Sequence, residues 1–415
     1  MVGIDIIQRA KNEAGFIERI DKKTSKAVLL DLADRIVKSA DRLIAANELD
    51  FEKFPISEFH LERLLLTKER ISDISKNLQL MSELDSPVGE VMEERMLING
   101  LNLKKIRIPF GVIGMIYEAN PEIALEAFAL CLKSGNTIIL CGDSKAEFSN
   151  QVVVSLIKKS LIENGISPDI VQVIPFQKEN IDELINATEL VDLIISRGLK
   201  ENMDYVRQNS KIPIIENGRG VVHIYFDKDG DLNIGKKVLL NSKTRRVTFS
   251  NTVECLIIHQ DRLKDLPDLV MPLSDRAVEI EADNESYSVI KESYPNELLF
   301  EIKENSFGTE FLDYKLSIKT VKTLEEAIIH IKDYGTNFCE SIISTNEKTV
   351  QEFFNKVDSA VIFSNTSTAF NNGEEFGVGV DIGISTHKLN ARGPISMKTL
   401  TNYKWLVKSD GAIKQ

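Results

Sequence analysis

The sequence predicts an α/β protein built around a parallel sheet of the Rossmann type. From Gly111 onward, short apolar runs alternate with helical segments. Each run is apolar throughout, which is typical of strands covered by helices on both faces. Right-handed crossovers join such strands into one parallel sheet. The 415 residues, 43% of them hydrophobic, suffice for two or three domains.

The first hundred residues predict mainly helices. Between Val28 and Ile44, apolar residues recur at spacings of three and four, with charged residues on the other face. A second amphipathic stretch runs from Glu58 to Met81. We therefore expect residues 25–100 to be helical.

A half-exposed strand or hairpin is predicted directly after Asn99-Gly100. Apolar residues alternate with Lys and Arg from Leu101 to Ile108. Ribbons of this kind often cover one another at subunit interfaces, because an exposed edge with apolar side chains needs covering. We expect a homo-oligomer, most simply a dimer, formed by this ribbon and the C-terminal segment near Tyr403–Val407.

The central region contains the strands of the predicted sheet. They are residues 112–117, 137–140, 171–174, 190–195 and 212–215. Asn120 is a good N-cap with Pro121 at the first helical position, and Ser144 can cap the helix that runs to Asn164-Gly165. A second unit, residues 221–364, mixes strands (253–258, 316–321) with helices (324–332, 349–356).

Charge and composition argue against several classes of function. The net charge of -12 and the pI near 5.2 oppose attraction to nucleic acid or anionic lipid. No apolar run reaches the roughly 20 residues of a membrane helix, and the first residues do not resemble a secretory signal, so we expect a cytoplasmic protein. The four cysteines lack CxxC spacing and the five histidines lack HExxH, so we expect buried thiols, no disulfide and no metal site.

Two loops at predicted strand ends, residues 142–144 and 196–198, precede helix N-termini whose free N–H groups suit an anion. The sheet has no GxGxxG fingerprint, and spacing alone fits ordinary βα turns equally well.

The order of several motifs resembles the γ-glutamyl phosphate reductase family of the aldehyde dehydrogenase superfamily. The motifs are IRIPFGVIGMIYEANPEIALEAFALCLKSGN from Ile106, DLIISRG from Asp192, IPIIENGRG from Ile212, SKTRR from Ser242, SNTVE from Ser250, DYGTNFCESI from Asp333 and GISTHKLNARGP from Gly383. RLLLTKERI from Arg63 continues the likeness into the N-terminal region.

The resemblance implies three functional parts and a mechanism. Residues 1–95 with 110–220 would bind the cofactor, 221–365 would carry catalysis, and 96–109 with 385–415 would form an oligomerisation segment. In the family, a cysteine thiolate attacks the acyl phosphate L-glutamate 5-phosphate, and NADPH reduces the thioester to glutamate 5-semialdehyde during proline biosynthesis. Such covalent catalysis needs a partly ionised nucleophile and an oxyanion pocket.

The same resemblance implies site residues. The catalytic positions would be Ser250 and Asn120, with Ser250 in the cleft between two lobes. The remaining positions are Glu122, Asn251, Thr368 and Arg392 for substrate, and Gly142, Ser144, Ser196, Arg197 and Gly198 for NADPH or NADP.

This sequence departs from the family at the site itself. Ser250 stands where the family has its cysteine, and an unassisted serine hydroxyl is almost wholly neutral at pH 7. His223 is a candidate base, although a packing role fits it better, and Cys255 is expected to pack. Asn120, Cys141 and Ala369 replace arginines that would hold anions, Asn390 replaces a histidine, and Glu122 and Asp143 add negative charge.

Two interpretations stay open. The protein is a divergent oxidoreductase acting on this or another acyl phosphate or aldehyde. Otherwise it is a catalytically impaired paralogue that serves as a binding or regulatory partner, for example of a genuine reductase or of glutamate 5-kinase.

Overall fold

A computed structural model describes residues 2–53, 64–198, 200–389 and 391–414. The chain divides into two compact units. Unit 1 comprises Met1–Asn217, Gly377–Ile382 and Ile395–Gln415. Unit 2 comprises Gly218–Phe376 and Gly383–Pro394. Every helix among the described residues is too short or too polar to cross a bilayer.

The helices are α1 (Val2–Ile17), α2 (Lys22–Lys38), α3 (Ala40–Lys53), α4 (Lys68–Glu83), α5 (Pro121–Ser134), α6 (Glu147–Glu163), α7 (Lys178–Asn186), α8 (Lys200–Asn209), α9 (Leu232–Thr244), α10 (Leu266–Ser274), α11 (Asn284–Ile290), α12 (Leu324–Tyr334) and α13 (Glu347–Lys356).

The strands are β1 (Val91–Met96), β2 (Asn102–Pro109), β3 (Val112–Tyr117), β4 (Thr137–Gly142), β5 (Val171–Val173), β6 (Leu193–Ser196), β7 (Ile214–Glu216), β8 (Val222–Phe226), β9 (Val253–His259), β10 (Glu279–Ala282), β11 (Leu299–Glu301), β12 (Lys315–Val321), β13 (Cys339–Ile343), β14 (Val361–Ser364), β15 (Ile384–Ser385), β16 (Gly393–Pro394) and β17 (Thr401–Lys408).

The centre of unit 1 is a five-stranded parallel sheet in the order β5-β4-β3-β6-β7. All five strands predicted between residues 112 and 215 are confirmed, with ends that move by up to three residues. Strand β3 is buried along its whole length, as a strand covered on both faces requires. Helix α5 follows it, and its predicted start is confirmed, because the Asn120 side chain accepts the N–H of Glu122 and Pro121 is the first helical residue.

The N-terminal region is helical only in part. The single periodic stretch predicted from Val28 forms two helices, α2 and α3, because the helix is interrupted at Ser39. Of the stretch predicted from Glu58 to Met81, residues 58–63 lie outside the described part of the chain, and α4 accounts for most of the remainder. The expectation of helix up to residue 100 is wrong, because β1 pairs antiparallel with β2.

Unit 1 also carries the predicted ribbon. Strands β1, β2 and β17 form a three-stranded antiparallel sheet in that order. Its apolar side chains are well exposed: Trp405 is 41% and Val407 54% accessible. The strand or hairpin predicted at residues 101–108 is therefore confirmed.

Unit 2 is built on a seven-stranded parallel sheet in the order β11-β10-β12-β9-β8-β13-β14. Its core lies under α9 and α10 and includes Phe226, Leu256 and Leu269, all buried. The predicted strands at 253–258 and 316–321 and the predicted helices at 324–332 and 349–356 are confirmed as β9, β12, α12 and α13. A small antiparallel pair, β15 with β16, completes the unit.

Candidate functional site

Ser250 lies in a tight turn of unit 2, immediately before β9. The turn is closed by a hydrogen bond from Thr252 N to Phe249 O (3.0 Å). The chain at Gly220 passes so close that a Cβ there would lie 1.6 Å from Ser250 O. Only glycine fits at that position. Gly220 is held in turn by its N–H, which donates to Glu310 Oε1 (2.7 Å). The Ser250 backbone is therefore confined on this side.

The Ser250 hydroxyl has no basic partner within unit 2. It is half-buried and forms no hydrogen bond with any residue that the structure describes. His223, the candidate base, is completely buried on β8, and its Nδ1 lies 3.1 Å from Glu340 Oε2. The ring is therefore buried and held by Glu340, and no residue of unit 2 that the structure describes is placed to take the proton of the serine.

No cysteine takes over the nucleophile's role. Cys131, Cys141, Cys255 and Cys339 are free thiols, and all four are buried. Burial raises the pKa of Cys141 and that of Cys255 to about 12. It also raises the pKa of Cys131 and of Cys339. Each thiol is therefore almost wholly protonated at neutral pH, and the expectation that Cys255 packs is confirmed.

Two predicted substrate residues, Asn251 and Thr368, lie in one cluster of loops. The Asn251 amide donates to the carbonyls of Ala369 and Asn371, at 3.3 Å each. Thr368 N donates to Ser242 Oγ (3.2 Å), so the segment before Asn371 is also tied to α9. Among the described residues, the buried Thr368 hydroxyl has no hydrogen-bond partner, and neither has the side-chain amide of Asn371. These are polar groups that a ligand or a water can satisfy.

A buried ion pair beneath the Ser250 turn was not predicted. Lys243 Nζ lies 2.7 Å from Glu254 Oε2, and both side chains are inaccessible to solvent. Lys243 also donates to Val253 O (3.0 Å), while Glu254 accepts the N–H of Leu312 (3.1 Å). Both residues belong to motifs that carry the family resemblance, SKTRR and SNTVE, and that signal was available in the sequence.

Arg392 does not present a free cation. Its guanidinium donates to the carboxylate (2.8 Å) and to the backbone carbonyl (3.0 Å) of Asp358. Its role as a substrate residue stays a prediction. Asn390 lies outside the described residues.

In unit 1, the predicted cofactor residues lie at the carboxyl ends of neighbouring parallel strands. Gly142 ends β4 opposite Tyr117 on β3, and Ser196 ends β6 opposite Ile116. This is the edge at which open parallel sheets bind ligands. At Gly142 a Cβ would lie 2.5 Å from the Tyr117 ring, and Gly198 has a φ of +130°, so both positions favour glycine.

The helix N-terminus after β4 is not a free anion site. The expectation that Ser144 caps the helix is wrong: Asp143 accepts the N–H of Lys145 (2.9 Å) in a short 3-10 turn. The backbone N–H groups of Phe148 and Ser149, at the start of α6, donate to the side chain of Asp50 on α3, both at 2.9 Å. Burial raises the pKa of the Asp50 carboxyl. This internal carboxylate already satisfies the amides expected to bind a phosphate.

The charged residues around the start of α5 are paired with one another. Glu122 lies 3.0 Å from Arg70 Nη2 of α4, a cation that the sequence interpretation missed although it lies in the RLLLTKERI motif. Arg197 Nε donates to Glu118 Oε1 (2.9 Å), and Arg197 Nη1 donates to Ile382 O (3.0 Å). The Asn120 side chain is used as the helix cap. Roles in catalysis or binding for these residues stay predictions.

Comparison with known proteins identifies relatives over the whole chain. No family model matches. A γ-glutamyl phosphate reductase of Pelodictyon phaeoclathratiforme is 44% identical over 405 residues, which is 98% of this chain and 96% of the relative. One of Legionella pneumophila (strain Corby) is 43% identical over 416 residues and is covered in full.

Solved structures agree with these relatives. The crystal structure of a γ-glutamyl phosphate reductase from Thermotoga maritima superposes with a TM-score of 0.94 at 32% identity, with both chains fully covered. An acetylating aldehyde dehydrogenase from Geobacillus thermoglucosidasius shares the fold, with a TM-score of 0.72 at 14% identity over 100% of this chain and 97% of that one. The chain thus has the aldehyde dehydrogenase fold and belongs to the γ-glutamyl phosphate reductase family.

Proposed function

We propose that this protein binds the ligands of its family, an acyl phosphate or the matching aldehyde together with a nicotinamide cofactor, but turns them over slowly. The substrate pair is L-glutamate 5-phosphate and glutamate 5-semialdehyde, which places the protein in proline biosynthesis. One observation supports the reduced rate: the Ser250 hydroxyl forms no hydrogen bond with any residue that the structure describes, and all four cysteines are buried, protonated thiols. The protein is an impaired member of an oxidoreductase family.

The chemistry of the first step explains the expected loss. Attack on the acyl carbon forms a bond to the nucleophile and breaks the bond to phosphate, and the nucleophile must shed its proton. A free thiol is a few per cent ionised at pH 7, whereas serine depends on a general base. An oxygen ester on Ser250 is also a poorer hydride acceptor than a thioester.

The predicted cofactor edge does not fit a nucleotide phosphate well. Asp50 already accepts the α6 amides, Arg197 is paired with Glu118, and Asp143 adds a carboxylate nearby. Cys141, in place of an arginine, offers no positive charge. We therefore propose weak binding of NADPH or NADP. Losing a charged hydrogen bond, at about 1.5–3 kcal/mol, lowers affinity roughly tenfold or more. Calorimetry that finds tight NADPH binding would contradict this placement of the phosphate.

The proposal also assigns a function to each segment of the chain. Cofactor binding is assigned to residues 1–95 with 110–220, catalysis to 221–365, and oligomerisation to 96–109 with 385–415. The protein is proposed to be cytoplasmic and a homo-oligomer, and the exposed apolar side chains of β17 support the assembly. A role as partner of a genuine reductase or of glutamate 5-kinase is the second candidate, favoured if turnover is absent.

The test is NADP reduction with glutamate 5-semialdehyde and phosphate. It compares the natural protein, Ser250→Cys, and a triple variant that adds Asn120→Arg and Ala369→Arg. We expect the natural protein to be far slower than about 1 per second, which is slow for an enzyme. Ser250→Cys should restore part of the activity, and the triple variant should raise kcat/KM further, because bound anions regain cationic partners. A natural protein that turns over at about 1–1000 per second refutes the proposal.

A further inference from the structure

Three side chains of residue types that bind metals meet inside unit 2. His223 lies on β8, Cys255 on β9 and His330 on α12, and all three are buried. One ligand atom from each lies within 4.8 Å of the others. Cys255 Sγ is 3.7 Å from His330 Nε2. Because tens of residues separate the three side chains along the chain, the sequence contains no local spacing motif for the cluster.

His223 is oriented as metal-binding histidines usually are. Its Nδ1 lies 3.1 Å from Glu340 Oε2, and the same carboxylate oxygen accepts the His223 backbone N–H (2.6 Å). The other ring nitrogen, Nε2, is buried and has no hydrogen-bond partner in the part of the chain that the structure describes. A carboxylate on one nitrogen and a metal on the other is a recurrent arrangement, because the carboxylate orients the ring and increases its basicity.

The remaining ligands have protonation states that agree with metal binding. Burial lowers the pKa of His330 to about 3, so its imidazole is neutral and keeps a lone pair. Burial raises the pKa of Cys255 to about 12, so the thiol holds its proton unless a cation displaces it. A metal ion does displace such a proton, because it stabilises the thiolate directly.

We propose that His223, Cys255 and His330 form a binding site for a thiophilic metal ion, with Zn²⁺ as the best fit. Nitrogen and sulfur ligands of this kind select zinc and neighbouring metals. The Cys255 thiolate offsets one of the two positive charges of a divalent ion in the buried cluster. On binding, the Cys255 S–H bond breaks, a zinc–sulfur bond forms, and the proton leaves to solvent.

The geometry requires a small contraction. Zn–S and Zn–N bonds of about 2.3 and 2.0–2.1 Å at a tetrahedral angle place ligand atoms about 3.5 Å apart. The 3.7 Å separation of Cys255 from His330 is already close to this value. Spacings of up to 4.8 Å must close by up to about 1.3 Å, through movement of the histidine rings.

Aromatic side chains pack around the His330 ring, and a surface pocket gives a metal ion access to it. Phe307 and Tyr334 pack against the His330 ring, with centroids at 4.8 and 4.7 Å. A surface pocket of about 380 Å³ includes His330 and Tyr334 in its lining. Water from this side completes a fourth coordination position. The bound ion would tie α12 to β8 and β9, the strand that begins just after the Ser250 turn.

The first test loads the metal-free full chain with Zn²⁺ alone. We expect one zinc per chain after gel filtration and a rise in Tm, because the ion binds only the folded state. X-ray absorption should show one sulfur and two nitrogen ligands, and Co²⁺ should give a thiolate charge-transfer absorption. Substoichiometric metal that dialysis removes, or a cobalt complex without sulfur, overturns the proposal without any variant.

Variants then assign the ligands. Cys255→Ala and His330→Asn should abolish binding, while Glu340→Gln should weaken it roughly tenfold or more, since it acts only through His223. Cys131→Ala, which removes a buried thiol of unit 1, is the matched control and should bind normally. Circular dichroism shows which variants are folded. Unchanged zinc binding in folded Cys255→Ala or His330→Asn protein refutes the site.

Discussion

Replacing Ser250 by cysteine should create a thiol that reacts far faster than the four natural ones. A half-exposed thiol with an ordinary pKa of about 8.5 is roughly 3% ionised at pH 7. Cys141 and Cys255, with a pKa of about 12, have a thiolate fraction on the order of 10⁻⁵. Ionisation alone therefore predicts a difference of about three thousandfold, and burial of the natural thiols widens it.

The assay is alkylation by iodoacetamide at pH 7, with labelled peptides followed by mass spectrometry. Ser288→Cys, at an exposed position of α11, supplies the rate of an unhindered thiol. We expect Ser250→Cys to react within about tenfold of that reference, and its rate to rise about tenfold per pH unit below its pKa. Labelling of Cys141 or Cys255 in the native protein at a comparable rate would refute the reasoning, as would an inert thiol in folded Ser250→Cys protein.

The other predictions concern stability and assembly. Asp50→Ala should lower the free energy of unfolding by about 3 kcal/mol in a urea titration, because it leaves two backbone N–H groups of α6 unpaired. Asp41→Ala, at an exposed ion pair, is the control and should change the free energy of unfolding little. Because burial raises the pKa of Asp50 in the folded state, this group's contribution to stability is greatest in acid and is lost as the pH rises through the folded-state value. Asp50→Asn, which cannot ionise, should therefore gain stability relative to the natural protein as the pH rises above the usual range of a carboxyl pKa; an equal pH dependence of the two would contradict this. Lys243→Met should lower the free energy of unfolding by about 3–5 kcal/mol, because the buried carboxylate of Glu254 loses its cation. Lys236→Met, at an exposed pair, is the control and should change stability little. Equal urea midpoints for the two variants would show that the buried pair contributes nothing. Light scattering should find a species larger than 46.7 kDa for the natural protein and a smaller species for Trp405→Glu. If the natural protein is a single 46.7 kDa species at micromolar concentration, the ribbon is not an interface.

The parallel sheet of unit 1 was predictable because its strands are mostly apolar and alternate with helices. Strand β3 and helix α5 begin where the sequence indicated, since the buried run, the Asn120 cap and Pro121 are all local signals. Strand β1 was mistaken for helix for a physical reason. Its sequence VMEERM consists mostly of strong helix formers, and it becomes a strand only by pairing with β2.

The electrostatics of the proposed site could not be predicted in the same way. Glu122 appeared to add uncompensated charge, yet Arg70 from another helix pairs with it. The N-terminus of α6 appeared open to a phosphate, yet Asp50 satisfies its amides. Each partner lies tens of residues away, and its charge has an effect only after packing brings it close.

The sequence alone determined the fold class, the family and the serine at position 250, because periodicity, motif order and residue identity are properties of the chain itself. Only the tertiary structure decided which charges are paired, and that His223, Cys255 and His330 share one cluster. These properties depend on distances and on exclusion of water, and both are set when remote segments pack together.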